Sequence, residues 1–289
     1  MTIAEQSLAA ATVRSRLRRL GPIGLEELVE SASLQTRVDR KYVVPAAGLG
    51  PVLDGLPADT AVLEIGARRD FSYSSVYFDT PALDSYFLAA RGRRRRFKIR
   101  TRTYLDSSEA YLEVKTRGGR SSTVKDRYEY DPASARELTP AGREYIHAVL
   151  TETGIRGIDT EMLVPVLTTR YSRATLFLPS SESRATIDTR LQWQLEGGAI
   201  VEKPAMTIVE TKSGQRASAV DRLLWANGHR PATISKYATG MAALIPELGA
   251  NKWTRVLRRD FDRVGSGSPV SDSRHSSASS LSPSARLSA

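Results

Sequence analysis

Charged side chains recur at every second residue in several strand-like segments of this chain. Lys98, Arg100 and Arg102 alternate with uncharged side chains, and residues 111–115 and 123–127 also place two charged side chains two positions apart. Because successive side chains of a β-strand point to opposite faces, each charged set lies on one face of a sheet. This recurrence, mostly of positive charge, predicts a barrel with a polar, basic interior that holds a polyanion.

The same spacing appears at both ends of the strand-rich region. Arg37, Asp39 and Lys41 share one face of the first predicted strand, and Glu210 and Lys212 share a face of a later one. Each such strand, taken alone, is explained more simply as a solvent-facing edge strand. An unpaired buried charge costs several kcal/mol, so charges that face a barrel interior must pair or meet a ligand.

The composition narrows the classes of partner and of chemistry. The 289 residues carry a net charge of +10, which favours nucleic acid, phosphate chains, nucleotides or an acidic membrane surface as partner. Cysteine is absent and the three histidines show no paired spacing, so thiol chemistry is excluded and a histidine metal site is not expected. No apolar run approaches the ~20 residues of a membrane span, and no signal peptide pattern is present, so we expect a cytoplasmic protein.

Strand patterns outnumber helix signals along the chain. Strands are predicted at residues 36–44, 71–79, 97–104, 111–115, 123–127, 165–178, 184–193 and 205–212. Helices are predicted after the capping residues Thr139, Ser218 and Ser235, and Gly-Gly pairs at 118–119 and 197–198 predict hairpin turns. The pattern predicts an α+β domain, namely an antiparallel β tunnel barrel of about eight strands with a few peripheral helices.

Composition divides the chain into three parts. Residues 1–24 are predicted to form a basic N-terminal arm, with a Gly-Pro break at residues 21–22 close to its end. Residues 25–250 are predicted to form the tunnel domain. Residues 251–289 are basic and then Ser-rich with few large apolar side chains, which predicts a disordered tail.

The residue types suit phosphate chemistry. Arg100 and Arg102 offer planar guanidinium forks for bidentate contact with phosphate oxygens. Glu210 is a carboxylate on a basic strand face, where it can hold a hard divalent cation that bridges phosphate oxygens. Glu113 and Lys115 form either a structural ion pair or part of a phosphate and metal site, and their spacing does not decide between the two. Phosphoryl transfer needs mainly positioning and charge neutralisation, so it requires no nucleophile triad.

Nine short motifs, taken in order, resemble the VTC domain, the polyphosphate polymerase domain of the vacuolar transporter chaperone complex within the triphosphate tunnel metalloenzyme superfamily. The motifs are Asp39–Tyr42, Ser75–Thr80, Lys98–Tyr104, Leu112–Lys115, Val124–Arg127, Tyr171–Arg173, Ile187–Thr189, Val209–Lys212 and Ser235–Tyr237. The resemblance covers roughly residues 34–245. It implies an antiparallel tunnel that binds nucleoside triphosphate or polyphosphate, and transfer of the ATP γ-phosphate to a growing chain with Mn²⁺ or Mg²⁺.

The resemblance also implies roles for individual residues. The residues implied to line the tunnel and grip phosphates during catalysis are Lys41, Arg100, Arg102, Lys115, Lys125, Arg173, Arg184 and Lys236. Further substrate-binding residues are expected at Arg37, Lys98, Arg127 and Ser235, and metal ligands at Glu210 and Glu113. We expect that Lys115→Ala or Arg100→Ala removes turnover with little loss of fold.

Two positions depart from the related sequences. The wider superfamily often carries a Glu-x-Glu-x-Lys strand, and here its first position is Tyr111, which suits the VTC branch better than a hydrolase. Eukaryotic VTC chains carry a lysine where this chain has Thr233. The expected partners are ATP and polyphosphate, with no nucleic acid and no transmembrane segment, and an unidentified membrane partner is left open.

Two alternatives to a polymerase remain. A tripolyphosphatase or nucleoside triphosphatase of the same superfamily would share the tunnel and let water attack. A non-catalytic module that binds polyphosphate or nucleic acid would share the basic charge, although aromatic residues make up only 7% of the chain and no RNA-binding signature is present.

Overall fold

The computed structural model describes residue 11 and residues 13–31, 38–117 and 123–261. The strands are β1 Gly21–Ile23, β2 Val38–Pro45, β3 Ala61–Leu63, β4 Phe71–Asp79, β5 Phe97–Tyr104, β6 Glu109–Arg117, β7 Thr123–Tyr130, β8 Val164–Leu178, β9 Ser183–Leu195, β10 Ile200–Lys203 and β11 Met206–Ser213. The helices are α1 Leu25–Ser31, α2 Leu49–Asp54, α3 Asp84–Ala90, α4 Pro140–Glu152, α5 Ala219–Ala226, α6 Lys236–Leu244 and α7 Thr254–Asp260. None of these helices is long and apolar enough to cross a membrane.

Antiparallel pairing joins the main strands into one sheet. Their order is β2-β11-β9-β8-β4-β5-β6-β7. Strand β3 pairs with β8 and strand β10 with β9, both antiparallel, while β1 pairs with β3 in parallel. The predicted α+β class with an antiparallel sheet and a few peripheral helices is confirmed.

The sheet curls so that distant strands face one another. Lys41 on β2 and Lys98 on β5 are five strands apart in the sheet order, which would separate them by roughly 24 Å in a flat sheet. Nevertheless, one short segment bonds to both strands: the N–H of Ala232 donates to the carbonyl oxygen of Lys41, and three residues later Ser235 Oγ accepts from the Lys98 ammonium. The sheet therefore wraps around a shared interior. No backbone pairing joins the described parts of β2 and β7, so a seam remains open between these two edges.

The outer face of the sheet is covered by apolar packing in two regions. One cluster joins Val44 and Val209 to Leu49 of α2 and Leu224 of α5. A second cluster covers strands β4 to β6 and includes Ile146 of helix α4. Both faces of the strands are thereby specified by the period-two pattern, with apolar side chains outward against helices and charged side chains inward.

Helix α6 packs against the inner face of the sheet. The indole nitrogen of Trp193 donates a hydrogen bond of 2.8 Å to the carbonyl oxygen of Lys236 at the start of the helix. A Cβ atom at Gly240 would lie 2.2 Å from Cδ1 of Trp193, so only glycine allows this close approach. Tyr237 and Met241 of the same helix are buried in the surrounding cluster. This packing fixes the start of α6 inside the sheet.

The buried carboxylate of Asp79 connects helices α3 and α6. It accepts hydrogen bonds from the backbone N–H groups of Thr80, Ser85 and Tyr86 at 2.8, 2.9 and 3.0 Å. It also accepts a hydrogen bond from the hydroxyl group of Tyr237. Burial raises the pKa of Asp79, and these donors act in the opposite direction. One side chain therefore anchors two helices at the end of β4.

Most local sequence signals are confirmed. The hydroxyl of Thr139 accepts a hydrogen bond of 3.1 Å from the N–H of Gly142 at the start of α4. Ser218 caps α5 through a reciprocal capping box with Asp221, and Ser235 caps α6. The predicted turn at residues 197–198 joins β9 to β10, with Gly197 at a φ of 65°. The predicted turn at residues 118–119 lies outside the described residues.

The structure departs from the sequence prediction at both ends of the domain. The predicted break at residues 21–22 is instead strand β1. Val13 and Leu17 pack into the outer core, and Trp253 and Val256 pack into the core around α6. Packed residues thus extend beyond the predicted limits of 25–250, while residues 262–289 of the predicted tail lie outside the described residues.

The contact between Gly240 and Trp193 gives a first prediction. We expect Gly240→Ala to lower the free energy of unfolding by about 1–3 kcal/mol, because the added methyl group overpacks the interface with the indole. The measurement is urea unfolding followed by circular dichroism. Gly214→Ala is the matched control, since a Cβ there meets no atom within 4 Å. Equal stability of the two variants would contradict the prediction.

Candidate active site

Strand register places the predicted site residues on one face of the curled sheet. The opposed pairs are Lys41 with Glu210, Glu210 with Thr186, Arg173 with Asp188, Arg100 with Glu113, Lys98 with Lys115, and Lys115 with Lys125. Along the described strands this inner face carries more cations than carboxylates. Its interior therefore favours an anionic ligand with several charges.

Glu113 is the partner of two predicted phosphate-binding cations. One of its oxygens accepts hydrogen bonds from Nε and a terminal nitrogen of Arg100 at 2.8 and 2.6 Å. The other oxygen lies 2.6 Å from the ammonium of Lys125. Burial acts to raise the pKa of Glu113, but the charges of Arg100, Arg102 and Lys125 outweigh it and hold that pKa well below its usual range. Glu113 is therefore ionised and holds both cations in place.

Asp188 is a second buried carboxylate that pairs with two cations. Its two oxygens accept hydrogen bonds from Arg173 at 2.6 and 2.8 Å, and it also pairs with Lys236 at the start of α6. The ammonium of Lys236 lies 4.4 Å from the centre of the Tyr171 ring, a favourable cation–π contact. Burial opposes ionisation of Asp188, but Arg173 and Lys236 lower its pKa to about 2.

Glu210 is the most accessible of these inner carboxylates. Its side chain is 19% exposed, against 1% for Glu113 and Asp188. It lies 4.0 Å from Lys41 and 3.6 Å from Lys212. Burial acts to raise its pKa, but Lys41 and the other cations keep it well below the usual range. Glu210 is thus a charged carboxylate that retains room for a further ligand.

Two lysines of the inner face hold their charge weakly. Burial first, and then the charges of Lys41 and Arg100, lower the pKa of Lys98 to about 7. Burial first, and then the charges of Arg100 and Lys98, lower the pKa of Lys115 to about 6. The Lys98 ammonium donates a hydrogen bond of 2.9 Å to Ser235 Oγ, which links β5 to the start of α6. An anion placed between these lysines would restore their charge.

Several buried polar atoms of the inner face have no hydrogen-bond partner within the described part of the chain. They are Ser75 Oγ, Arg102 Nε, Thr169 Oγ1, Tyr171 Oη and Thr186 Oγ1. Buried polar groups of native proteins are nearly always satisfied, so such a cluster on one face points to a ligand. Because the group includes hydroxyls and a guanidinium, it can donate to phosphate oxygens.

Of the other predicted residues, Arg127 and Arg184 also lie on the inner face by strand register. Arg37 lies outside the described residues. Arg127 is exposed and stacks on the Tyr111 ring at 4.9 Å. Arg184 lies opposite Lys212 in the register, on the inner face. Arg170 is exposed and points outward, as its spacing from Arg173 requires on a strand.

The part played by Asp188 was not predicted from the sequence. Asp188 lies in one of the short motifs of the sequence, but its partners are Arg173 on the neighbouring strand β8 and Lys236 on α6, 48 residues further along the chain. The sequence does indicate that Asp188 shares a strand face with Arg184, because the two are four residues apart on one strand. Period-two spacing identifies the face of a strand, and it does not show which side chain of another strand pairs with it.

The predicted metal ligands are not brought together. No group of three His, Cys, Asp or Glu side chains within the described ranges could hold a metal ion. Both oxygens of Glu113 are engaged by Arg100 and Lys125, so its role as a metal ligand stays a prediction with no free oxygen to support it. Glu210 fits a site that uses one protein carboxylate together with substrate phosphates and water, as is usual for Mg²⁺.

Comparison with known families decides which group the chain joins. The model of the VTC domain matches residues 36–245, which contain the inner-face residues from Lys41 on β2 to Lys236 on α6. The chain belongs to the VTC domain family. No curated protein matches the chain. The matched VTC domain includes the start of α6 and ends before α7.

Solved structures resemble the VTC domain only distantly. A putative adenylyl cyclase from Hippeastrum, reported with a dominant triphosphatase activity, is 17% identical with a TM-score of 0.48 and covers 75% of this chain and 100% of its own. A putative adenylate cyclase from Bacillus halodurans is 12% identical with a TM-score of 0.46, covering 69% and 94%. A conserved hypothetical protein from Pyrococcus furiosus is 13% identical with a TM-score of 0.36, covering 67% and 91%. At these values the likenesses carry nothing about activity over to this chain.

The lowered pKa values of Lys98 and Lys115 give a second prediction. At pH 8 both amines are mostly neutral, and a bound polyanion raises their pKa, so binding takes up protons and strengthens as the pH falls from 8 to 6. We expect wild type to take up about one more proton than Lys115→Met when tripolyphosphate binds. The measurement is titration calorimetry at pH 8 in buffers of different ionisation enthalpy.

The control for proton uptake is Lys203→Met, on β10 outside the tunnel. It should take up as many protons as wild type. Comparison between variants cancels the protons bound or released by tripolyphosphate itself. If Lys115→Met and wild type took up the same number of protons, Lys115 would not be the group that gains charge.

The structure predicts opposite stability effects for two inner cations. Arg100→Ala should lower the free energy of unfolding by about 3 kcal/mol, because it leaves Glu113 buried with one partner fewer. The expectation from the sequence that Arg100→Ala spares the fold is therefore revised. Lys115→Met should raise the free energy of unfolding by about 1 kcal/mol at pH 7.5, because the unfolded chain can protonate Lys115 at that pH and the folded chain cannot.

Urea unfolding at pH 7.5 measures both effects. Arg170→Ala is the control, because Arg170 is exposed and donates hydrogen bonds to the side chains of Gln192 and Gln194, neither of which is charged. It should change stability by less than about 0.5 kcal/mol. The wild-type stability should also increase as the pH rises from about 7 towards 10. A decrease for Lys115→Met as large as that for Arg100→Ala would contradict the assigned charge states.

Proposed function

We propose that the chain is a metal-dependent polyphosphate polymerase that transfers the γ-phosphate of ATP to a polyphosphate chain. The observation that carries this proposal is the basic inner face of a VTC domain, where buried hydroxyls and Arg102 Nε have no hydrogen-bond partner among the described residues. Polyphosphate matches such a tunnel because every phosphate unit of the polymer carries negative charge. Aromatic platforms for bases are not required for this ligand.

The inner-face cations would position two phosphate groups for in-line attack. Arg100 and Arg173, each held by a buried carboxylate, supply fixed forks for phosphate oxygens. Arg102, with its unpartnered Nε, faces the same interior. Ser235 and Lys236 add a hydroxyl and a charge at the start of α6, where free backbone amides also favour anions. We assign Lys41, Lys98, Lys115 and Lys125 to charge neutralisation along the chain.

The transfer step needs no base from the protein. A terminal oxygen of the polyphosphate chain attacks the γ-phosphorus, a new P–O–P bond forms, and the bond from the γ-phosphorus to the β–γ bridging oxygen breaks. The bridging oxygen leaves with the electron pair as ADP. A terminal phosphate has its second pKa near ~6, so its attacking oxygen is already ionised at neutral pH. Positioning and charge neutralisation therefore carry the catalysis.

We assign the metal to Glu210. Its partly buried carboxylate would hold Mn²⁺ or Mg²⁺ together with substrate phosphate oxygens and water. When bound, the ion supplies positive charge for the oxygens of the transferring group. Lys41 and Lys212 then keep Glu210 ionised and oriented while the substrate is absent.

ATP and polyphosphate are the proposed partners. ATP as a substrate agrees with the expected cytoplasmic location, and an unidentified membrane partner stays a prediction. No nucleic acid partner is proposed for the tunnel, because the cations and hydroxyls of its inner face suit phosphate oxygens and carry no means of reading bases.

A triphosphatase is the second candidate, and one observation favours it. No backbone pairing joins the described parts of β2 and β7, so the seam between them gives water a route to the inner face. A hydrolase would release orthophosphate from ATP or tripolyphosphate. The two candidates share the same tunnel and differ only in the nucleophile.

Phosphorus NMR of the purified protein with ATP and Mn²⁺ tests the proposal. We expect ADP to accumulate together with a growing signal from internal chain phosphates. Glu210→Gln should slow polymer formation by about 100-fold or more, because it removes the charged ligand of the proposed metal. Glu196→Gln is the control, since Glu196 pairs with Arg136 on the exposed surface and should leave the rate unchanged.

Product identity separates the outcomes. Orthophosphate and ADP without internal phosphates would replace the polymerase with the triphosphatase. ATP that stays unchanged over hours would contradict both enzymatic proposals. A Glu210→Gln variant with the full rate would remove Glu210 from the proposed metal site.

A further inference from the structure

A second basic pocket lies beside the tunnel and is built partly from residues outside the family match. Four cations line it: Arg230, Lys252, Arg255 and Arg259. The remaining lining comes from residues 231–233 and Val256, and no carboxylate lines the pocket. Its volume is about 240 Å³, far above the ~10–15 Å³ that a single water needs. We call this the mouth pocket.

The walls of the mouth pocket are held in place by contacts outside it. Lys252 donates to the carbonyl oxygen of Ala89 at 3.0 Å, and Arg230 donates to the carbonyl oxygen of Trp225 at 2.7 Å. Trp253 is buried and anchors the segment that leads into α7. Arg259 forms an ion pair with Asp260 at 2.9 Å, so part of its charge is already balanced. The remaining positive charge has no carboxylate facing it in the pocket.

The mouth pocket adjoins the segment that leads into the inner face of the tunnel. The backbone N–H of Ala232, in the pocket wall, donates a hydrogen bond of 2.7 Å to the carbonyl oxygen of Lys41 on β2. The same wall leads within a few residues to Ser235, the hydrogen-bond partner of Lys98. Lys252 is also among the charges that, after burial, lower the pKa of Lys98. The cations of the pocket therefore lie close to those at the adjoining end of the inner face.

We propose that the mouth pocket binds a second stretch of the same phosphate chain, where the chain extends beyond the tunnel end. This inference rests on the proposed function for the identity of the chain. A short ligand such as tripolyphosphate fills the tunnel alone, whereas a long chain reaches both sites. Two linked sites bind a long chain more tightly than either site alone, because the second contact is intramolecular.

Inorganic polyphosphate fits the mouth pocket better than nucleic acid. None of the lining residues is aromatic, so the pocket offers no surface on which bases could stack. Its cations lie at the end of a tunnel whose own groups suit phosphate. Polyphosphate has the same repeating unit along its whole length, so the same chemistry suits it in the tunnel and in the mouth pocket.

The variant Arg255→Glu tests the inference. Its matched control is Arg258→Glu. Both arginines are exposed on α7 and both variants change the net charge equally, but only Arg255 lines the pocket. Binding of tripolyphosphate and of long-chain polyphosphate is measured by titration calorimetry at constant ionic strength. We expect Arg255→Glu to weaken long-chain binding by about tenfold and tripolyphosphate binding by less than about twofold. Arg258→Glu should weaken either ligand by less than about twofold.

Arg230→Gln provides a second variant on the opposite wall of the pocket. It should weaken long-chain binding by about threefold and leave tripolyphosphate binding unchanged. This variant decides the question if Arg255→Glu has a lowered melting temperature. Retention of fold is checked for all three variants by circular dichroism.

Three results would overturn the inference. One is an equal loss of long-chain binding in Arg255→Glu and Arg258→Glu. Another is an equal loss of both ligands in Arg255→Glu, which would place Arg255 in the tunnel site. The third is single-stranded oligonucleotide binding as tight as that of long-chain polyphosphate with the same dependence on Arg255, which would assign the pocket to nucleic acid. Arg255-dependent binding without polymer synthesis would keep the pocket and remove only the polymerase.

Discussion

Like charges repel across the inner face of the tunnel, and two buried carboxylates keep the arrangement folded. Glu113 joins Arg100 to Lys125, and Asp188 joins Arg173 to Lys236. Glu113 links the consecutive strands β5, β6 and β7, and Asp188 links strands β8 and β9 to helix α6. Without these carboxylates the arginines would have to lose water with no charged partner, which a fold of ordinary stability does not tolerate.

The carboxylates balance only part of the positive charge, and the lysines adjust to the remainder. Burial first, and then the surrounding cations, make the charged forms of Lys98 and Lys115 unfavourable and lower the pKa of each. The site thereby limits its own repulsion while it awaits an anion. A phosphate chain supplies the missing negative charge and the missing acceptors together, since the unpartnered hydroxyls and the Arg102 Nε lie on the same face. Charge state and ligand are thus coupled through the same side chains.

Much of this arrangement could be predicted from the sequence because a strand has a strict period of two. That period placed Lys98, Arg100 and Arg102 on one face, and the local caps placed the helices after Thr139, Ser218 and Ser235. Other features depend on contacts between remote parts of the chain. The pairing of Glu113 depends on two neighbouring strands, and that of Asp188 on a strand and a helix distant in sequence.

The ends of the domain were harder to predict for a related reason. A Gly-Pro pair ordinarily interrupts regular structure, but at residues 21–22 it forms a short strand because β3 offers a neighbour. Helix α7 has only seven residues and a basic surface, so its sequence resembles a tail. Its place is set by Trp253 and Val256, which pack into the core around α6. In both β1 and α7, tertiary packing outweighs the structure that the local sequence favours.

The open seam between β2 and β7 has a consequence for how a polymer reaches the interior. A barrel with a continuous wall would admit a long chain only by one of its ends, and every repeat would have to slide through. Along the described parts of β2 and β7 the wall has two edges that share no backbone hydrogen bonds. Separating these described edges breaks no backbone hydrogen bond between them, so a phosphate chain with large groups at both ends can enter the interior from the side.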